Sequence, residues 1–247
     1  LGGLTVLKEI INILPDENII YFGDTKRVPY GSMTKETIIK YTFQAINFLL
    51  TENVKAIVIA CNTVTALALS KCLDKYNVPI IGVIEAGVRE CLNTTKNKVV
   101  GVIGTEATIK SKKYNEELIK LDKNIIVFGK SCPLFVPLVE DGLSNTEKSY
   151  LVAKNYLKDL IDNNIDSLIL GCTHYPILEE TIKKVVGNNI KLVNPANETA
   201  KDLKNILIKN NLLNTSKTKS SYRYFVSQID KNFENKYKNH YKTIRWK

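Results

Sequence analysis

The sequence predicts an α/β protein with mainly parallel central sheets covered by helices on both faces, and three observations lead there. Short apolar runs rich in Val and Ile recur along the chain, continuous rather than alternating, which is how strands buried on both faces read. Helical patterns separate consecutive runs. The residues capable of chemistry fall just after the runs, beyond the carboxyl ends of the expected strands, where open α/β sheets bind their ligands.

The first run, residues 18–22, ends at Gly23, with Asp24 and Thr25 beyond it. A helical stretch over 35–50 leads to the second run, 56–60, which ends at Cys61-Asn62-Thr63. The third, 79–84, precedes Glu85, and the fourth, 99–103, precedes Thr105. Helical spacing over 108–121 leads to the fifth run, 125–128, followed by Cys132-Pro133 in a loop and by Glu140, also expected on a loop. Helical spacing over 146–163 joins this to the sixth run, 167–170, ending at Cys172-Thr173-His174. A seventh run over 191–193, a helix over 197–209 and an eighth run over 222–226 complete the order. Gly101 to Gly104 lies within and just after a strand and lacks the helix-start pattern of a phosphate-binding loop.

Composition narrows the class. The 247 residues are 44% hydrophobic and 24% charged, near the globular average, which argues against a disordered or fibrous chain. No apolar run is long enough to span a membrane, and Lys8 and Glu9 interrupt the opening segment where a signal peptide would be apolar. The expectation is a soluble, cytoplasmic protein. Five cysteines are an odd number in a chain of this length and read as free thiols rather than a disulfide framework. The net charge of +10 is spread thinly; its densest patch, residues 231–247, reads as a solvated tail helix with its aromatics packed inward. That distribution does not favour a nucleic-acid binder.

Two segments share one plan. Ile57-Val58-Ile59-Ala60-Cys61-Asn62-Thr63 and Leu168-Ile169-Leu170-Gly171-Cys172-Thr173-His174 each have three aliphatics, a small residue, Cys and two polar residues. Their cysteines lie 111 residues apart, from 61 to 172, about one small domain. An internal duplication would set two thiols facing each other across a cleft. A helix N-terminus beside each thiol would depress its pKa from the ordinary ~8.5, so that it could act as base or acid near neutral pH. Two such thiols on opposite sides of one carbon can remove a proton from one face and deliver one to the other, which inverts a stereocentre. Small core residues are the competing reading of Cys61 and Cys172, since free Cys is often buried; the polar neighbours count against it. Cys72, Cys91 and Cys132 have no such company and are expected to be structural. His174 is expected to tune Cys172. No zinc-ligand spacing is present, and neither metal nor cofactor is expected.

Six motifs in order, Gly2 to Leu7, Gly23-Asp24-Thr25 with Pro29-Tyr30-Gly31, Ala60 to Thr63, Cys132-Pro133 through Gly142, residues 170–178 (LGCTHYPIL) and Glu198-Thr199-Ala200, resemble the glutamate racemases across nearly the whole chain. The resemblance implies a cofactor-independent isomerase that interconverts L- and D-glutamate for peptidoglycan precursors and cell shape. It implies two pseudo-symmetric α/β domains, residues 1–84 plus 195–247 and an inserted 85–194, with the active site in the cleft between them. It implies Cys61 as the base on the D-glutamate side and Cys172 on the L-glutamate side, with Glu140 and His174 assisting Cys172. Asn62, Thr63, Thr105 and Thr173 would hold the α-carboxylate and amino group, and Tyr30 and Gly31 would contact the substrate. A homodimer and a small-molecule partner are implied. A related racemase or isomerase acting on aspartate or another small acid, or a gyrase- or nucleic-acid-binding protein, is the alternative. In relatives the Gly2-Gly3 segment follows a first strand ending in Asp-Ser-Gly, and that strand is expected to be missing here.

Overall fold

The computed structural model describes residues 2–216, 218–228 and 244–246. Helix α1 (Gly2–Ile13) leads into strand β1 (Ile19–Gly23). There follow α2 (Lys35–Thr51), β2 (Ile57–Ile59), α3 (Asn62–Lys75), β3 (Ile80–Gly82) and α4 (Ile84–Thr94). The middle of the chain forms β4 (Val99–Gly104), α5 (Glu106–Lys110), α6 (Lys113–Leu121), β5 (Ile126–Ser131), α7 (Phe135–Glu140), α8 (Glu147–Asp162) and β6 (Ser167–Gly171). Then come α9 (Glu179–Val186), β7 (Lys191–Val193), α10 (Pro195–Lys209), β8 (Tyr222–Val226) and β9 (Ile244–Trp246).

All described strand pairs are parallel. They form a four-stranded sheet in the order β5-β4-β6-β7, a three-stranded sheet β1-β8-β9 and the pair β2-β3. The central strands of the four-stranded sheet explain the continuous apolar runs. Every residue of β6 is buried, and successive residues serve opposite faces. Val102 and Ile169 pack with Ile84, Val88, Tyr114 and Leu118 from α4 and α6. Ile103, Leu168 and Leu170 pack with Phe135, Leu157 and Ile182 from α7, α8 and α9. From β4 the chain crosses to β5 on one side, and β6 lies on the other, so the carboxyl ends of β4 and β6 flank the topological switch point where such sheets bind ligands.

Polar residues set the helix starts. Thr34, Thr105 and Asn194 accept a backbone N–H at the starts of α2, α5 and α10, and Thr146 and Ser149 form a reciprocal capping box on α8. Four sequence expectations need correction. The helix expected over 108–121 is two helices, because Lys112 adopts a left-handed conformation (φ 54°). Ser111 competes for the backbone there: its hydroxyl donates to the Thr108 carbonyl at 2.6 Å and accepts the Lys113 N–H at 3.2 Å. The third strand stops at Gly82, so Glu85 lies in the first turn of α4. Glu140 is the last residue of α7, not a loop residue; Pro137 falls in the first turn of that helix, where its missing N–H does no harm. In the basic C-terminal patch, residues 244–246 form a strand beside β8 rather than a helix, and the rest of 231–247 lies outside the described residues. Among the described residues no helix is long and apolar enough to cross a membrane.

Candidate active site

Cys61 sits where β2 turns into α3. Its backbone is extended (φ −154°, ψ 121°) and it caps the helix, so Asn62 and Thr63 occupy the first turn with N–H groups that have no partner within the helix. Cys172 follows the last residue of β6 beside the switch point and is 6% exposed. A short 3-10 helix over Tyr175–Leu178, capped by His174, comes next, and α9 starts only at Glu179. The shared plan of the two segments therefore gives an α-helix start at Cys61 but a tighter turn at Cys172, where Pro176 and Leu178 precede the next full helix. Gly171, one residue before Cys172, has no room for a side chain: a Cβ there would lie 2.5 Å from the Ile103 carbonyl oxygen of β4.

The thiols depart from the expected acidity. Burial pushes the Cys61 thiol up, although the N–H groups of Val64 and Thr63 and the Thr63 hydroxyl oppose it. Burial likewise pushes Cys172 up to about 12 against the N–H of His174, and negative charge on Cys61 raises it further. Desolvation of a thiolate outweighs the helix-terminus effect here. Cys172 thus feels the ionisation of Cys61 across the site. Cys72, Cys91 and Cys132 are fully buried in packed cores, as expected of structural residues, and all five thiols are free.

His174 joins Cys172 to Glu140. Its Nδ1 lies 3.8 Å from the Cys172 sulfur, and its Nε2 lies 2.8 Å from Glu140 Oε1. Burial opposes ionisation of Glu140, yet the His174 hydrogen bond lowers its pKa. An ionised carboxylate accepts the Nε2 proton, which leaves Nδ1 to face the thiol as an acceptor. The Thr5 hydroxyl donates to the Thr173 carbonyl at 3.0 Å, so α1 braces this turn.

Hydroxyls gather on the other side. Thr63 Oγ1 lies 2.9 Å from Thr105 Oγ1 and 3.2 Å from Thr108 Oγ1, and the latter two are 3.0 Å apart. Gly31 borders this triangle; a Cβ on it would come 3.0 Å from Thr105 Cβ. Tyr30 donates to the Asp24 carboxylate, and burial together with that partner raises the phenol far above its usual range. Asn62 accepts from the Tyr114 phenol through Oδ1 at 2.6 Å, while its Nδ2 is buried without a partner. Asn62, Cys172 and Thr173 wall one narrow cavity with Val83 and Asn194, of about 10 Å³, room for roughly one water.

The structure thus gathers Cys61, Asn62, Thr63 and Thr105 with Tyr30 and Gly31, and Cys172, Thr173 and His174 with Glu140. Sequence reasoning missed Thr108 and Tyr114. The Thr105-x-x-Thr108 spacing at a helix start could have indicated the first; nothing distinguishes the second from a core aromatic. Among the described residues no group of three or more His, Cys, Asp and Glu side chains is placed to hold a metal ion.

Residues 2–203 match the family described as Asp/Glu/Hydantoin racemase. The glutamate racemase of Geobacter metallireducens is 44% identical over 94% of this chain and 86% of its own. The crystal structure of a glutamate racemase isoform from Bacillus anthracis superposes with a TM-score of 0.94 at 37% identity, covering 100% of this chain and 93% of that one. The glutamate racemase of Francisella tularensis, crystallised with D-glutamate, gives 0.92 at 41% identity, with 100% and 93% covered. The chain belongs to the Asp/Glu/hydantoin racemase family and, within it, to the glutamate racemases.

Proposed function

We propose that this chain interconverts L- and D-glutamate without a cofactor, by passing a proton between Cα and two thiols on opposite faces of the substrate. The observation that carries the reading is the pair of strand-end cysteines, Cys61 and Cys172, placed so that charge on one opposes charge on the other. Such coupling disfavours two thiolates at once, so when the bound substrate favours ionisation the pair holds one base beside one acid. The thiolate takes the α-proton, so a C–H bond breaks, an S–H bond forms, and the electron pair is left on Cα and its carboxylate. The opposite thiol then gives its proton to the other face, and the negative charge ends on that sulfur. Cys172 serves the L-enantiomer and Cys61 the D-enantiomer.

His174, held by Glu140, takes the Cys172 thiol proton on Nδ1 when Cys172 must act as base, so an S–H bond breaks and an N–H bond forms, and gives it back when the sulfur again carries negative charge. The unpartnered Nδ2 of Asn62 and the Thr173 segment suit the α-carboxylate and amino group, and the hydroxyls of Thr63, Thr105 and Thr108 beside Gly31 and Tyr30 suit the second carboxylate. Neutral donors satisfy a carboxylate without a strong cation that would also shift the thiols. The cavity of about 10 Å³ beside Cys172 is not lined by Cys61 and has room for roughly one water. The enzyme is taken to work in the cytoplasm as a homodimer, supplying D-glutamate for peptidoglycan.

Circular dichroism of L- and D-glutamate, followed with α-proton exchange in D2O, tests the reading on wild type, Cys61→Ala and Cys172→Ala. Wild type is expected to racemise both enantiomers and each variant to lose racemisation. Normal racemisation by either variant refutes the two-thiol mechanism, and faster turnover of aspartate in the same assay refutes the substrate.

A further inference from the structure

Asn62 offers a donor to the site in only one of the two orientations its amide can take, since a half-turn exchanges nitrogen for oxygen. Tyr114 selects between them. This tyrosine, near the start of α6, is 2% exposed, and its Oη lies 2.6 Å from Asn62 Oδ1. Burial, with lesser contributions from the charges of Glu85 and Cys172, raises the phenol far above its usual range, so it keeps its proton and donates. In the structure the phenol donates to the amide oxygen, and the nitrogen faces away from it. That nitrogen is buried without a partner, and the residue borders the cavity that Cys172 and Thr173 also wall. The same ring touches the other half of the site: a Cβ on Gly171 would lie 3.1 Å from Tyr114 Cε2.

We propose that Tyr114 is a positioning residue for racemisation. Its phenol fixes the Asn62 amide so that Nδ2 donates to a substrate carboxylate, and its ring sets the spacing between the Cys61-Asn62 and Gly171-Cys172 segments. The proposal rests on the racemase reading above and adds a residue that touches no reacting atom. Position 114 is reachable because the chain breaks at the left-handed Lys112 before α6 begins.

The test is a double-mutant cycle. Tyr114→Phe keeps the ring and removes the hydroxyl; KM for both glutamate enantiomers is expected to rise about tenfold, with a smaller change in kcat. Because enantiomers have equal energy, kcat/KM falls by one factor in both directions. Asn62→Ala is expected to cost at least as much, and the double variant no more than Asn62→Ala alone. A tyrosine that merely stabilised the fold would lower kcat/KM equally in both backgrounds, and thermal melting reports that effect separately. Asn62→Asp provides an arm that leaves Tyr114 intact: it keeps an acceptor for the phenol but loses the donor, and is expected to raise KM as Tyr114→Phe does. Wild-type KM in Tyr114→Phe or in Asn62→Asp, or a Tyr114→Phe loss that adds fully to Asn62→Ala, overturns the proposal while leaving the racemase reading in place. A wild-type enzyme that does not racemise glutamate overturns both.

Discussion

Replacing Glu140 by Gln removes one charge from the site and keeps an acceptor for His174. The amide oxygen can still accept from His174 Nε2 at the 2.8 Å now spanned by the carboxylate, so ring position and tautomer are kept while the charge that stabilises a protonated imidazole is lost. A hydrogen bond to a charged group contributes about 1.5–3 kcal/mol. The Glu140 side chain is 42% exposed, and solvent screening reduces the expected loss to about 1–2 kcal/mol, a factor of roughly 5–30 in kcat/KM. Racemisation has an equilibrium constant of one, so the factor is the same for L- and D-glutamate. Isotope effects locate it. If Cys172 removes the proton of the L-enantiomer, slowing that transfer raises the primary isotope effect with α-deuterated L-glutamate and lowers it with the D-enantiomer. Stopped-assay circular dichroism on both deuterated enantiomers, with a melting curve to confirm the fold, makes the measurement. Unchanged kcat/KM, or an isotope effect that rises with D-glutamate instead, refutes the assignment of Glu140 and His174 to Cys172.

Two further outcomes follow from distances and acidities. Since burial holds both thiols protonated in the empty site, with Cys172 at about 12, kcat/KM rises with pH between 6 and 8.5, and kcat, which reports the occupied site, rises at lower pH. Coincident pH profiles for the two quantities would count against that ordering. Gly171→Ala drives a Cβ to 2.5 Å from the Ile103 carbonyl oxygen, a backbone atom that cannot step aside. It is expected to cost about 1–3 kcal/mol and lower Tm by roughly 3–10 °C in calorimetry; an unchanged Tm contradicts the packing argument.

The parallel strands were legible because β4 and β6 are buried on both faces, and such strands spell themselves as runs dominated by Val, Ile and Leu. The helices α7 and α9 were not. Each is short, and prolines mask the helical pattern: Pro137 falls within the first turn of α7, and Pro176 lies in the 3-10 turn just before α9. The break at Lys112 had no signature, since a lysine gives no warning of a left-handed conformation. At the site, Cys61 and Cys172 stood out because strand ends carry chemistry and because two segments share a plan. The Tyr114 hydrogen bond to Asn62 joins residues 52 apart in the chain, and an aromatic on the buried face of a helix reads as core whatever its hydroxyl does. Thiol acidity failed for a related reason. A helix N-terminus is a local property and can be read from sequence, whereas burial is summed over every segment that closes on the sulfur.

That failure bears on how the reaction can run. A thiol gains thiolate tenfold for each unit its pKa falls, and loses only part of that gain in basicity, with a Brønsted coefficient near 0.4–0.5 measured for thiolates as nucleophiles. Below its pKa, therefore, a raised thiol is a slower catalyst than a depressed one, and the empty site is not the form that does the chemistry. In the two-thiol mechanism proposed above, the bound amino acid carries its positive ammonium group on the carbon that both sulfurs would reach, and opposite charge at that range favours the thiolate. Water excluded by the closed cavity leaves that attraction weakly screened. Ionisation then follows binding instead of preceding it. An unoccupied enzyme keeps its thiols neutral, and neutral thiols resist the oxidation to which exposed thiolates are prone. Burial, which opposes ionisation in the empty enzyme, ties the proposed base to the presence of its substrate.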